Sequence, residues 1–380
     1  GDGQVGHDVF PEDGVMAGLV DIRACARHIE ALQRPGGDIP WIEAGIWDAW
    51  NHGEGAMGLA IAGRETAARR ALDHLAERQE ADGGWTGDLG ASVPLDDTNR
   101  HLVPGTPDTA RDTNFTGYAA VTVLRSLLAL GALSDLPRYW PMVQRAMDFI
   151  LAHQTLQGDI VWRARDGDEP LETIDSLRAG NASLYKSLEC AILMGRLMEA
   201  PVDHWAQARR KLGAVLREND ARFDRKGTDR RRYAMDWYYP VLAGVLTGEA
   251  ARARLYARWT DFVKPGLGCR CVSDEPWVTA AETAELALAC LAAGKRDQAR
   301  TLIADLAPLK ARSGGYWMGW QFVEEVVWPY ERPSWTAGAL IMAADALDAL
   351  TPGSGLMVRN WVVEYPVRPD AEALPAFLSA

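Results

Sequence analysis

The chain has 380 residues, 48% hydrophobic and 24% charged, with a formal net charge of −12. That length suits one large repetitive domain or two ordinary ones, and the acidic balance excludes a nucleic-acid surface, which needs a basic face to neutralise phosphates. No run of about 18 apolar residues is present to span a bilayer, and five scattered cysteines, Cys25, Cys190, Cys269, Cys271 and Cys290, point to reduced thiols in a cytoplasmic protein rather than a disulfide framework.

In chain order, residues 1–13 are rich in Gly and Asp and read as a flexible N-terminal segment. Two kinds of helical segment then alternate. Charged, amphipathic ones fall at about 15–33, 65–79, 138–153, 203–219, 249–263 and 295–309. Between them lie segments that are small and apolar on almost every side, such as TGYAAVTVLRSLLALG and TAGALIMAADAL. A helix apolar all round is buried, whereas one with a polar stripe faces water. Six outer helices are therefore expected to alternate with six inner ones.

The helix ends repeat. Leu72, Leu75 and the stem of Arg78 share one helical face; Gln79 then closes the helix and Asp82-Gly83-Gly84-Trp85 turns the chain under an indole. A second copy runs from Ala146 to Trp162, with Gln154, Gly158 and Trp162 in the same roles and one spacer lengthened. A third, Thr301 to Trp317, keeps the glycines and the Trp but not the Gln. The chain thus reads as an all-α repeat protein built from helical hairpins. The simplest closed arrangement is an (α/α)6 toroid over residues 14–352, followed by a Pro-rich extended tail over 353–380.

In such a toroid the inner helices run parallel, so their N-termini converge on one mouth. Those starts carry His52, Glu54, Asp112 and Asp236 as candidate acid–base groups. They also carry Asn51, Asn114, Tyr118, Asn181, Tyr185, Trp237, Tyr238, Tyr239, Trp277, Glu282 and Trp335 as candidate substrate contacts. Asp112, Asn181 and Ser334 stand equally where N-caps belong, and the aromatic residues where packing would use them. The long segments 87–111, 163–180 and 314–333 precede inner helices and are expected to rim the mouth. Within the last, Trp320, Gln321, Glu324, Glu325, Trp328, Tyr330 and Glu331 would make that rim aromatic and acidic. The basic run Arg225, Lys226, Arg230, Arg231, Arg232 reads either as a solvated loop or as a seat for a diphosphate. Cys269-Arg270-Cys271 lacks metal-ligand spacing, Leu95-Asp96-Asp97-Thr98 reads as a turn, and no phosphate-binding or dinucleotide motif is present. No metal or cofactor is expected.

The Gln-x-x-x-Gly-x-Trp endings resemble those of the squalene-hopene cyclase and prenyltransferase-like α/α-toroid group. Trp50-Asn51-His52, Asp112-Thr113-Asn114, Met235 to Pro240 and Arg332 to Thr336 are similar to a bacterial branch labelled prenyltransferase. The resemblance implies a toroid enclosing an isoprenoid, with Trp and Tyr faces stabilising cationic charge and Asp112 or Asp236 as the acid. The Asp-x-Asp-Asp motif of the cyclases is absent, with Pro94 in its first place, and no histidine stands on the last inner helix. The alternative is a carbohydrate-active toroid in which paired carboxylates act as acid and base and indoles stack on pyranose rings. A third reading is a non-catalytic scaffold whose cavity is filled by side chains.

Overall fold

The computed structural model describes residues 18–87, 110–227 and 229–361. Residues 1–13, the acidic pair Asp96 and Asp97, and the tail beyond Trp361 lie outside the described residues. The helices are α1 (Ile22–Leu32), α2 (Ala49–Ile61), α3 (Glu65–Glu77), α4 (Thr113–Ala129), α5 (Leu136–Leu151), α6 (Arg178–Leu197) and α7 (Asp203–Glu218). After them come α8 (Ala234–Leu242), α9 (Gly248–Ala257), the single turn α10 (Trp259–Phe262), α11 (Ala280–Ala292), α12 (Arg296–Asp305) and α13 (Ser334–Asp348).

Composition sorts these helices into two layers. From Thr113 to Leu128, α4 buries every residue except Phe115, and α2 buries all but Asn51. By contrast α3 buries only the stripe Ala67, Ala68, Ala71, Leu72 and Leu75. Helices with no polar face have to be enclosed, and here they enclose one another. α2 packs on α4, α4 on α6, α6 on α8, α8 on α11, α11 on α13, and α13 returns to α2. The outer helices α1, α3, α5, α7, α9 and α12 each back an inner one, and the fold is the (α/α)6 toroid.

The outer layer is joined by one turn used four times. After α1, α3, α5 and α12 a glycine N–H closes on the carbonyl three residues back: Gly37 on Arg34, Gly83 on Glu80, Gly158 on Thr155 and Gly314 on Ala311. These glycines have φ of 105°, 94°, 111° and 100°, a region that excludes most side chains. A Cβ on them would stand 2.4 Å from the Arg70 carbonyl oxygen, 2.4 Å from that of Arg145, 2.8 Å from that of Lys211 and 2.9 Å from that of Ala24. Those carbonyls belong to the next outer helix in each case, and the last contact, from the end of α12 to α1, closes the ring. Gln33, Gln79 and Gln154 complete three of the turns. Each amide donates to the turn glycine's carbonyl at 2.8–3.0 Å and to a carbonyl of the following outer helix at 3.0 Å.

The sequence reading found two of these glutamines and missed Gln33, although Trp41 follows it at the spacing at which Trp162 follows Gln154. The position that matters lies two residues after the glycine, where Ile39, Trp85, Ile160 and Tyr316 are all at most 1% exposed. Trp162 and Trp317 lie beyond that position and are only partly buried, so they are not counterparts of Trp85. After α7 the Gly227 N–H also closes on the Asp224 carbonyl, at φ 84°, but nothing lies within 4 Å of the Cβ it would gain, so this turn clamps no neighbour. The expected helix 249–263 breaks at Arg258 into α9 and α10. It continues into a ribbon of β1 (Val263–Lys264) and β2 (Gly268–Cys269). A second small antiparallel sheet joins β3 (Trp277–Thr279), β4 (Gly319–Gln321) and β5 (Val326–Val327), with Trp277 opposite Gln321. The segment 314–333 therefore contains a hairpin paired with β3.

At the opposite end, residues 351–361 pack under the C-termini of the inner helices. Arg125 of α4 is ion-paired with Asp345 of α13, which also accepts from the Thr351 N–H and hydroxyl, both at 2.8 Å. Lys186 of α6 binds Glu189 at 3.1 Å and the Leu356 carbonyl at 3.0 Å, and Trp361 N–H donates to Glu189 at 2.8 Å. Among the described residues, the cavity between the inner helices lies at their N-terminal ends.

The turn glycines give a stability prediction. Gly131 also has positive φ, 64°, but nothing lies within 4 Å of the Cβ it would gain. Gly131→Ala should carry only the left-handed backbone cost of about 1–2 kcal/mol, while Gly83→Ala should lose a further ~1–3 kcal/mol by forcing α3 and α5 apart. Urea denaturation compares the two; equal losses would contradict the clamp.

Candidate active site

Each inner helix begins in residues unlike the rest of it, and all six beginnings reach one cavity of about 510 Å³. α2 contributes Trp50 and Asn51, α4 Asn114 and Phe115, and α6 Arg178 to Gly180. α8 contributes Met235 and Asp236, α11 Ala281, Glu282 and Glu285, and α13 Trp335. Two N-termini are fixed by aspartates: Asp48 accepts from Asn51 N–H at 2.8 Å and Asp112 from Phe115 N–H at 2.9 Å. Asp48 also receives the Asn51 amide at 2.8 Å and the Trp41 indole at 2.6 Å, and burial pushes its carboxyl up to about 6. Trp41 in turn meets Trp335 edge-on, with ring centroids 5.5 Å apart.

Three carboxyl groups line the cavity. Asp236 takes Arg178 Nη1 on both oxygens, at 2.9 and 2.8 Å. Burial raises its carboxyl above the usual range and the guanidinium opposes that rise. Glu282 accepts from the Thr279 hydroxyl and from Cys271 Sγ at 3.6 Å. Glu285 accepts from the Tyr238 hydroxyl, and burial, with Glu54 nearby, holds it well above the ordinary value. Glu54 itself sits behind the wall, 3% exposed, with the Tyr118 hydroxyl on Oε1 and burial pushing it up to about 7. Tyr118 stacks on Trp50 at 4.2 Å and 5°. Asn114 Oδ1 is buried without a partner in the cavity wall. A Cβ on Gly180 would lie 2.3 Å from that oxygen, so only glycine leaves Asn114 its place.

Of the residues expected at the mouth, Asn51, Asn114, Asp236, Glu282 and Trp335 line the cavity. Glu54, Tyr118, Tyr238 and Tyr239 stand directly behind it. The others are placed elsewhere. His52 accepts from Ile39 N–H through Nδ1 at 3.1 Å and bonds the Ala71 carbonyl through Nε2 at 2.8 Å, so both ring nitrogens are committed to backbone. Asp112 caps α4. Asn181 is not a cap but bonds both backbone groups of Ile160, and Ser334 donates to the Pro40 carbonyl. Tyr185 lies under the Arg209 guanidinium at 3.7 Å, Trp237 stacks on Phe262 at 4.9 Å, and Trp277 donates to the Trp328 carbonyl at 2.7 Å. Arg178 and Glu285 were not singled out from the sequence. The available signal was a charged residue in the first turns of helices otherwise made of Ala, Leu and Gly.

The four arginines of the basic run are paired internally. Arg225 binds Asp159 at 2.9 Å, Arg230 reaches Asp175 and Asp224 at 3.4 Å, Arg231 binds Asp229 at 3.2 Å, and Arg232 binds Asp274 at 2.9 Å. A seat for a diphosphate does not follow from guanidinium groups already neutralised.

The class of fold is clear from solved structures. A wild-type glycosidase superposes with a TM-score of 0.63 at 15% identity, over 92% of this chain and 100% of that one. The GH63 mannosylglycerate hydrolase from Thermus thermophilus, in complex with Tris, gives 0.62 at 14%, over 84% and 99%. No family model matches the sequence. The MMP endo-(1,4)-3-O-methyl-alpha-D-mannosidase of Mycolicibacterium hassiacum is 40% identical over 334 residues, 88% of each chain. The chain belongs to the family of that endomannosidase. This overturns the resemblance to prenyltransferases and terpene cyclases, together with the isoprenoid substrate and the activity it implied. Among the described residues no helix is long and apolar enough to cross a membrane.

His52 sets a pH dependence of stability. Burial lowers its folded value from 6.5 to about 4, so the unfolded chain takes up the proton first. Its stabilising contribution is complete above pH 6.5 and lost as pH falls towards 4, by roughly 3 kcal/mol. Unfolding free energies measured across that window should fall more steeply in the wild type than in His52→Asn. Parallel curves would show that the fold does not lower the His52 value.

Proposed function

We propose that the protein is a glycoside hydrolase cleaving within a neutral chain of α-(1,4)-linked 3-O-methylmannose. The observation that carries this reading is the set of three carboxyl groups, Asp236, Glu282 and Glu285, on one cavity walled by the indoles of Trp50 and Trp335. Membership of the endomannosidase family supports the linkage and the methylated sugar. The cavity suits such a substrate. Phe115, Leu177, Ala179 and Met235 offer apolar wall to methyl ethers, while Asn114 Oδ1 offers an unused acceptor to a hydroxyl.

Glycoside hydrolysis needs one protonated and one ionised carboxyl group flanking the scissile bond. Glu285, half-buried at the cavity and without a cation, is the acid: it gives its proton to the glycosidic oxygen as the C1–O bond breaks. Asp236, held at both oxygens by Arg178, is the base: it takes a proton from the water whose hydroxyl adds to C1. Glu282, fixed by Thr279, is a substrate contact. A reducing, cytoplasmic setting suits the five free thiols, four of which are buried.

The test is incubation of the purified protein with 3-O-methylmannose polysaccharide and with an unmethylated α-(1,4)-mannan, following product lengths by mass spectrometry. Internal cleavage of the methylated chain is expected, with kcat reduced by about a hundredfold or more in Glu285→Gln and in Asp236→Asn. Turnover that survives either substitution removes that residue from its role, and no cleavage of either polymer removes the reading.

A further inference from the structure

The sheet of β3, β4 and β5 turns one face to the core and the other to solvent. Alternation along each strand and the register between strands sort its side chains. Val278, Trp320 and Val327 share the inner face: Val278 is enclosed, and the other two pack against the core. The outer face holds Trp277 opposite Gln321, Thr279 opposite Gly319, and Val326 opposite Gln321. Trp328 joins it, since its N–H donates to the Gly319 carbonyl at 3.0 Å one residue past β5. Val326 and Trp328 are 46% and 45% exposed.

Gly319 gives this face its shape. A Cβ there would stand 2.4 Å from Trp277 Nε1, so only glycine lets that indole lie across the sheet. The Trp277 indole N–H then reaches the Trp328 carbonyl at 2.7 Å, and the two rings meet edge-on, with centroids 5.1 Å apart and planes at 72°. They make a corner on a face whose side chains include no charge. The corner is continuous with the cavity. Thr279 donates to Glu282, which lines the cavity, and Trp277 stands two residues, about 7 Å, back along the same strand. The sheet also leads at both ends into cavity-lining helices, β3 into α11 and the hairpin towards α13 with Trp335.

We propose that Trp277 and Trp328 form an outer saccharide subsite, which holds a 3-O-methylmannose unit of the polymer beyond the units in the cavity. This rests on the hydrolase reading above and adds where the uncut chain runs. A cavity of about 510 Å³ suits a ligand of a few sugar rings, whereas a chain cleaved internally has to continue past it. The C–H face of a pyranose and its methyl ether are apolar and gain by leaving water for the flat faces of indoles. Gln321 adds a polar contact: its Oε1 accepts from the Val323 and Glu324 N–H groups at 2.7 and 2.9 Å, and its Nε2 donates to a sugar hydroxyl. A face without charge suits a neutral polymer and has nothing to neutralise an anionic one.

Affinity electrophoresis reads this subsite without turnover. Glu285→Gln protein in gels containing 3-O-methylmannose polysaccharide should be retarded, and adding Trp328→Ala should raise the dissociation constant about tenfold. Val326→Asp leaves both indoles in place and sets a charge beside them, so it should weaken retardation even if Trp328→Ala disturbs the sheet. Tyr330, 76% exposed and stacked on Trp317 outside this face, is the control, and Tyr330→Ala should leave retardation as it was. In the active enzyme Trp328→Ala should raise KM for the polysaccharide about tenfold with little change in kcat, and the effect should shrink as the chain is shortened to what the cavity holds. A wild type that cleaves neither polymer, with retardation still dependent on Trp328, defeats the hydrolase reading and supports the subsite. Three results overturn it: retardation unaltered in both Trp328→Ala and Val326→Asp, an equal loss in Tyr330→Ala, or a changed oligomeric state of folded Trp328→Ala in sedimentation, which would assign the face to a second copy of the chain.

Discussion

The contact on which the rest of this toroid depends is a glycine in the left-handed region pressed against the backbone of the next outer helix. At Gly37, Gly83, Gly158 and Gly314 the missing Cβ lets the end of one outer helix come within van der Waals distance of a carbonyl of its neighbour. Once successive outer helices are spaced that way, each inner helix is carried around by its partner and has to run in the same direction as the last. Parallel inner helices then bring six N-termini to one mouth, where backbone N–H groups and short polar side chains gather. The site is thus a consequence of outer-layer packing. None of its residues takes part in the clamp.

That separation explains what was legible in the sequence. The alternation of striped and all-apolar segments marked both layers, and the convergence of inner-helix starts marked the mouth, because burial leaves its trace in every residue of a helix. The chemistry was misjudged for the same physical reason. Gln79, Gly83 and Trp85 report how outer helices dock, and a device for docking outer helices serves any enzyme with this fold. The register of the repeat was misread where indoles drew attention. Trp162 and Trp317 are near the turn, but the buried position two residues past the glycine is filled by Ile160 and Tyr316. Only the space under the turn is fixed, and Ile, Trp and Tyr all fill it.

Side chains at helix starts were harder to sort, because capping and ligand contact draw on the same residue types. Asp48 and Asp112 cap their helices, while Asp236 lies inside the first turn of α8 and is held at the cavity by Arg178. Asn181 and Asn114 divide similarly. One amide is consumed by Ile160, and the other is left with an open oxygen because Gly180 clears space for it. Each outcome turns on a residue distant in sequence or on the absence of a Cβ next door. His52 shows the converse, since its conspicuous proximity to Glu54 in the chain ends with both ring nitrogens bonded to backbone.

The charge around the mouth is the strongest constraint on what can bind there. Arg178 faces Asp236 and Asp220, Arg230 faces Asp175 and Asp224, and the neighbouring arginines are paired as well. Against these balanced pairs stand Glu54, Glu282 and Glu285, bonded to hydroxyl and thiol donors rather than to cations. An anionic ligand would have to break an ion pair to be neutralised and would meet uncompensated carboxyl groups on the way. A neutral sugar meets neither difficulty, and it benefits from what the same residues offer: hydroxyl partners in the carboxyl groups and Asn114, and flat apolar faces in Trp50 and Trp335. Residues 351–361 pack across the other end of the barrel, and among the described residues the cavity lies at the starts of the inner helices.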